Sequence, residues 1–254
     1  MSIKNAQELA GIQRVSRAVA LTLKQMRAFA RPGMSTRTLD DYGAFLMQTY
    51  GVRPAPSLTY GFPGACCISL NEEIAHGIPS TERVLREGDL VNIDVSGELG
   101  GFWADNGGSF VLGRDLHGRQ GLVDASRQVL DKAIAHIRAG VRLSEVGGLI
   151  ESEAAHRGYR VIRNLGGHGV GRGLHEKPKF IPNYGDPTDR RRFRENQVVA
   201  VETFLAVRSS EAVSLPDGWT LVGNRGGAVV QHEHTVIVRR GVPEICTRMN
   251  GIWD

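Results

Sequence analysis

Two stretches decide how this chain reads: REGDLVNIDV at residues 86–95 and RENQVVAVET at residues 194–203. Laid over one another, they share an opening Arg-Glu, a polar step and an apolar run, and Asp94 falls on Glu202. A nearly equal shift lays Arg31, Gly33, Leu39 and Gly51 onto Arg138, Gly140, Val146 and Gly158. One matching segment is cheap, but agreement at both ends of each half is not, so the chain reads as an internal repeat.

The two units, about residues 5–111 and 121–240, each run helix, helix, strands. In the first, Leu9, Ile12, Val19, Leu23 and Met26 recur with a helical period between Gln7 and Ala30. Pro32-Gly33 stops that helix. Ser35 or Thr36 caps the next, with Leu39, Tyr42, Phe45 and Leu46 inward and Gly51 as its end. In the second, Val129, Leu130, Ala133, Ile134 and Ile137 form a stripe that stops at Gly140, and Ser144 caps a helix ending at Gly158. VNIDVSGEL and GGFWADNGGSFVLG, joined through a glycine turn, read as strands, as do VVAVETFLAV and AVVQHEHTVIV. The expected architecture is α+β, with two homologous halves in one domain over 1–254.

Composition narrows the function classes. At 254 residues, 41% hydrophobic and 23% charged, the chain has an ordinary globular make-up and needs no disulfide staples. No apolar run is long enough to span a bilayer, and MSIKNAQELA lacks the apolar core of a secretory signal. Three cysteines, two of them adjacent, point to a reducing compartment, so a cytoplasmic home is expected. The net charge of +4 permits an RNA-rich neighbourhood without demonstrating one. The cluster Arg190, Arg191, Arg192, Arg194 reads as a solvated loop, with an RNA or acidic-partner contact as the minority reading.

The chemistry sits in the strands. Asp94 interrupts an apolar run in VNIDV, where an unpaired carboxylate is costly to bury. Asp105 follows on the returning strand, and Glu202 and Glu233 repeat the anomaly in VAVETF and QHEHTVIV. Singly, each reads as an edge-strand acid in water; four together read better as a metal cage. His168 is wrapped by glycines in GGHGVGRGLHEKP, His175 lies seven residues on, and His76 precedes a Pro-bounded turn. His117, His136 and His156 have no acidic company in sequence. His232 and His234 flank Glu233, and alternation puts both imidazoles on one face with the glutamate on the other; spacing alone leaves either side as the ligand side. HExxH, GxSxG, Walker A and dinucleotide fingerprints are absent.

HGIP, NIDV with its following Asp, GHGVGRGLHEKP, VET and EHT, in that order, resemble the type I methionine aminopeptidases of the pita-bread, creatinase-like family over about residues 5–248. The resemblance implies a pseudo-two-fold repeat of two helix-helix-strand halves around a curved, mostly antiparallel sheet. It implies two divalent ions (Mn, Fe, Co or Zn) on Asp94, Asp105, His168, Glu202 and Glu233, which selects the glutamate of QHEHT. His76 and His175 would face substrate, and Phe62, Cys67 and Trp219 would line a methionine pocket. Glu202 would shuttle the proton and His175 would stabilise the oxyanion or position the scissile amide. The partners implied are nascent polypeptide N-termini with a small second residue, near the ribosome and away from membranes, and the protein a monomer.

Three residues depart from the type I pattern: Thr203 stands for a common proline, Leu174 for a frequent aromatic, and Thr59 for a common tyrosine. All three are expected near the pocket. A type II enzyme is disfavoured because no helical insertion fits between His168 and Glu233. The rival readings are a proline-specific aminopeptidase or prolidase on the same fold, and a non-catalytic pita-bread binding module. The seven-residue step from His168 to His175 favours methionine removal over the first, and retention of all five ligands argues against the second.

Overall fold

Asn5 opens the first helix, its side chain accepting the Glu8 N–H at 2.9 Å. From there a computed structural model, describing residues 1–251, follows the repeat. The helices are α1 (Ala6–Phe29), α2 (Thr36–Thr49), α3 (Ala55–Tyr60), α4 (Gln120–His136) and α5 (Leu143–His156). The strands are β1 (Arg53–Pro54), β2 (Cys67–Leu70), β3 (Glu73–Ala75), β4 (Leu90–Leu99), β5 (Phe102–Val111), β6 (Arg160–Val161) and β7 (Gly166–Gly169). After them come β8 (Glu176–Pro182), β9 (Val198–Ala206), β10 (Ala212–Ser214), β11 (Leu221–Gly223), β12 (Val229–Ile237) and β13 (Glu244–Ile245). The one-domain expectation reaches to 254, and its last three positions lie outside the described residues. No helix among the described residues is long and apolar enough to cross a membrane.

The repeat is visible bond by bond. Gly33 N–H donates to Leu85 O at 2.8 Å and Gly140 N–H to Phe193 O at 2.9 Å; Leu85 and Phe193 return the bond to Met34 O and Val141 O. Gly88 and Asn196, superposed by sequence, both take left-handed backbone, with φ of 83° and 62°. Asparagine is among the few residues that enter that region readily, so the turn survives the exchange.

All strand pairs are antiparallel. In one sheet β4 is flanked by β5 on one side and by β1 and β2 on the other; in the second the order is β13-β12-β9-β7-β8, with β6 on β9. A small third sheet runs β10-β11-β3. The β4–β5 hairpin turns through Gly100 and Gly101, both at positive φ, as a two-residue turn of this twist requires. No backbone ladder joins β5 to β12 among the described residues. Their seam is made by side chains: Thr235 Oγ1 accepts from Asp105 N at 2.9 Å and donates to Asp105 O at 2.7 Å. Ser109 Oγ bonds both the N–H and the carbonyl of Gln231 at 3.0 Å.

Packing decides which face carries chemistry. α1 and α2 bury Ile12, Val19, Leu39 and Met47 against Ile93 and Val95 of β4, while α4 and α5 bury Val129, Leu130 and Val146 against Val199 and Val201 of β9. Each such aliphatic side chain contributes roughly 1.5–3 kcal/mol. Strand alternation then sends Asp94 and Glu202 to the opposite face.

Two cap and face assignments differ from expectation. Phe45 points outward, 60% exposed, while Leu39 and Leu46 are buried in the core and Tyr42 packs against it; the Phe45 ring lies on Tyr42 at 6.5 Å. Ser144 lies inside α5, and the N-cap is Arg142, whose extended backbone is held in a bridge to Arg192. That bridge repeats the one from Ser35 to Val84, so a tertiary contact sets the start of the helix.

Candidate metal and substrate site

Asp94 on β4 sits opposite Gly107 of β5, and Asp105 sits opposite Ser96, so the two acids are diagonal neighbours on one face. Glu202 of β9 sits directly opposite Glu233 of β12. His168 on β7 pairs with Ala200 of β9, which brings its ring toward the same face. The glycines around it answer to crowding: a Cβ on Gly167 would lie 2.4 Å from Ala200 O, and one on Gly169 2.4 Å from Lys177 O. Asp105, His168 and Glu233 each offer a ligand atom within 4.8 Å of the others. All five residues line one cavity of about 310 Å³.

This donor set suits a cation. Asp105 Oδ1 and Glu233 Oε1 are buried without a hydrogen-bond partner, which leaves two anionic oxygens uncompensated. Glu233 is 1% exposed, which excludes the edge-strand reading. The Nδ1 of His168 lies 3.1 Å from Gly169 O; a carbonyl only accepts, so Nδ1 carries the proton. Nε2 is left as a lone pair 3.7 Å from Asp105 Oδ2, too far for a hydrogen bond but suited to sharing an ion. Burial drives the carboxyl pKa values up, that of Asp94 to about 6 and those of Asp105, Glu202 and Glu233 well above their usual range. Repulsion among the four acids adds to the rise at Asp105, Glu202 and Glu233. Burial pushes His168 down to about 3, the neutral form that a metal ligand needs.

Around the acids the strands supply a supporting layer that sequence reasoning missed. Gln231 Nε2 donates to Glu233 Oε2 at 3.0 Å, and its Oε1 accepts from Asn92 Nδ2 at 2.8 Å. Gly107 makes room for that amide, since a Cβ there would meet Gln231 Oε1 at 2.2 Å. His232 and His234 turn the other way, as alternation required: His232 Nδ1 meets Ser126 Oγ at 2.9 Å, and His234 Nδ1 meets Thr247 Oγ1 at 2.8 Å.

The rest of the cavity wall splits into a polar and an apolar side. The His175 and His168 rings lie with centroids 4.1 Å apart and planes tilted by 42°, and burial with the nearby His76 and Lys179 lowers the His175 pKa to about 4. His76 follows β3 with φ of 56°, a left-handed conformation rare for histidine that turns it into the cavity. Phe62 and Trp219 meet edge to face at 5.2 Å, and Cys67, opposite Asp94 on β2, completes the apolar side with Leu174. Asp217 Oδ1 accepts from Trp219 N and Thr220 N, both at 2.8 Å, and so fixes the turn that presents the tryptophan.

The three departures do not share one neighbourhood. Leu174 lines the cavity, but Thr59 is exposed on α3 and Thr203 is buried on the helix side of β9, near Ser126 Oγ at 3.4 Å. From α3 the cavity is lined by Pro56 and Tyr60, both overlooked in sequence; the Tyr60 hydroxyl lies 2.7 Å from His175 Nδ1. The signal available was Gly61, whose left-handed φ of 71° ends the short helix just after the tyrosine. His136 has acidic company after all, with Nε2 2.8 Å from Glu145 Oε1 between α4 and α5. In the arginine cluster, Arg191 pairs with Asp189 at 2.7 Å and Arg192 bonds Gly140 O.

Comparison with known proteins agrees with this geometry. The description of metallopeptidase family M24 matches residues 10–240. Methionine aminopeptidase 2 of Bacillus subtilis is 42% identical over 98% of this chain and all of the relative. The methionine aminopeptidase structure from Thermotoga maritima superposes with a TM-score of 0.92 at 34% identity, covering 97% of this chain and 99% of that one. A prolidase from Pyrococcus horikoshii, at 20% identity, TM-score 0.75 and coverage of 97% and 63%, shares the fold alone. This chain belongs to metallopeptidase family M24, among its methionine aminopeptidases.

Proposed function

We propose that the protein removes the N-terminal methionine from polypeptides with a small second residue, using two divalent ions held by Asp94, Asp105, His168, Glu202 and Glu233. One observation carries the reading: the orphaned carboxylate oxygens of Asp105 and Glu233 lie in the same cavity as the apolar Phe62–Trp219–Cys67 wall. Mn, Fe, Co and Zn all suit one imidazole among oxygen donors. When bound, such ions offset the carboxylate charge, polarise a carbonyl and bring the pKa of water toward neutral.

The chain's own residues do the rest. Phe62, Trp219 and Cys67 receive the thioether, a flexible and polarisable group that packs well against aromatic rings. Glu202, which lines the cavity, takes the proton of the attacking water and returns it to the departing amine. His175 donates a hydrogen bond to the carbonyl oxygen as negative charge develops there. His76 lies beside the scissile bond and crowds the second residue, so a short side chain is preferred. The cavity, near the lower limit of about 300 Å³ for ligand pockets, suits a chain end rather than a strand passing through.

The site draws Asp94 and Asp105 from one half and His168, Glu202 and Glu233 from the other, which supports one functional domain along the chain. The corresponding setting is a cytoplasmic monomer acting on nascent N-termini close to the ribosome, checked by sedimentation of the purified protein and by its co-fractionation with ribosomes. The activity is tested on Met-Ala, Met-Ser, Met-Lys and Ala-Pro peptides before and after chelation. Met-Ala should exceed Met-Lys by about tenfold in kcat/KM, roughly 1.4 kcal/mol. Faster cleavage of Ala-Pro, or full activity after exhaustive metal removal, would refute the proposal.

A further inference from the structure

Tyr60 lines the cavity from the last turn of α3, about half exposed. Its hydroxyl reaches His175 Nδ1 at 2.7 Å, and the two rings lie 5.7 Å apart between centroids. Among the described residues this is the only hydrogen bond of the His175 ring; the His168 ring lies beside it, centroids 4.1 Å apart and planes tilted by 42°. The His175 backbone is fixed separately: its carbonyl accepts Lys179 Nζ at 2.6 Å, and the next residue, Glu176, is paired with Gly169 in the β7–β8 ladder. The main chain is therefore tied down while the ring's rotation depends on one phenol.

From this arrangement we propose that Tyr60 is the positioning residue for His175, setting both its ring orientation and its tautomer. The phenol donates to Nδ1, so the single proton of the neutral imidazole resides on Nε2, on the side of the ring away from Tyr60. A histidine that must donate to a developing oxyanion needs that tautomer. In the reverse arrangement, with Nδ1 protonated, Nε2 would present a lone pair to the oxyanion and repel it. The same bond restrains the plane of the imidazole, which lies tilted by 42° to the His168 ring and by 52° to the Tyr60 ring. Tyr60 touches no reacting atom in this scheme; it acts through His175.

The inference rests on the proposed aminopeptidase reading, and Tyr60→Phe in the zinc-loaded protein tests it separately. The variant keeps the ring and removes the hydroxyl. Nitrogen-15 NMR of labelled histidine should show His175 as the Nε2–H tautomer in the parent and as a mixture of tautomers in the variant. With methionyl peptides kcat should fall about tenfold to a hundredfold, the usual cost of losing an orienting partner, while KM and the metal-binding isotherm stay unchanged. An unchanged tautomer, an unchanged kcat, or a rise in KM alone would each overturn the proposal, the last by showing Tyr60 to be only a pocket wall. If the parent fails to cleave methionyl peptides yet Tyr60→Phe still shifts the tautomer, the activity assignment falls and the positioning role stands.

Discussion

Thr235→Val probes the seam between the two halves at its most exposed point of logic. Thr235 is fully buried, and its hydroxyl alone pairs the outward-facing N–H and carbonyl of Asp105, at 2.9 and 2.7 Å. Valine has nearly the same shape, so no cavity forms, but two buried backbone groups lose their partner. Leaving one such group unsatisfied costs about 1–3 kcal/mol, so the pair should cost about 2–6 kcal/mol. For a chain of this size that corresponds to roughly 2–4 °C of Tm per kcal/mol. Asp105 should also bind metal less tightly, because its main chain is no longer pinned to β12. Thr235→Ser keeps both bonds and loses one methyl, about 0.8 kcal/mol. The assay is urea unfolding of the parent and both variants, metal-free, followed by metal titration. A valine variant within about 0.5 kcal/mol of the parent, or a serine variant as unstable as the valine, would refute the reasoning, because such independence is what a surface substitution shows.

Other consequences follow from the same geometry. His175→Ala should lower kcat by about 10²–10³ with metal content retained, since it removes a donor used mainly in the transition state; a wild-type kcat on methionyl peptides would remove His175 from the mechanism. Phe62→Ala breaks the edge-to-face pair with Trp219 and should cut kcat/KM for methionyl substrates by about tenfold or more, leaving the metal isotherm unchanged. Metal-free protein should lose stability as pH rises above about 6.5, where carboxyls with strongly raised pKa values are still giving up protons. Asp105, Glu202 and Glu233 have raised folded pKa values, so their contribution is present at low pH and lost as they ionise. Below about 6.5, the ordinary pKa of an unfolded histidine, two buried imidazoles oppose that slope. His232 and His234, held neutral with pKa near 3 by burial, take up protons only on unfolding. Above about pH 6.5, where those histidines are neutral whether folded or unfolded, calorimetric Tm should therefore fall with rising pH without metal, and added metal should abolish the fall; a flat metal-free profile there would contradict the raised carboxylates.

The sequence alone determined the repeat, because its marks are local and survive translation along the chain: Gly33 and Gly140 at the same helix end, Gly88 and Asn196 at the same left-handed turn. It also exposed the acids, since a charge within VNIDV or VAVETF conflicts with its neighbours at a distance of one residue. What alternation left open at QHEHT, the fold decided by packing: α4 and the Thr247 turn cover His232 and His234, and only Glu233 is left facing the cavity. Contacts between residues far apart carried no sequence mark at all. Tyr60 meets His175 and Thr235 meets Asp105 only because β4, β5, β9 and β12 assemble, and a hydroxyl reads the same in a sequence whether it faces water or a partner more than a hundred positions away. The start of α5 belongs with them: Ser144 is the better cap by residue type, yet the bridge from Arg142 to Arg192 begins the helix earlier, because a tertiary tie outweighs a capping preference of about 1 kcal/mol.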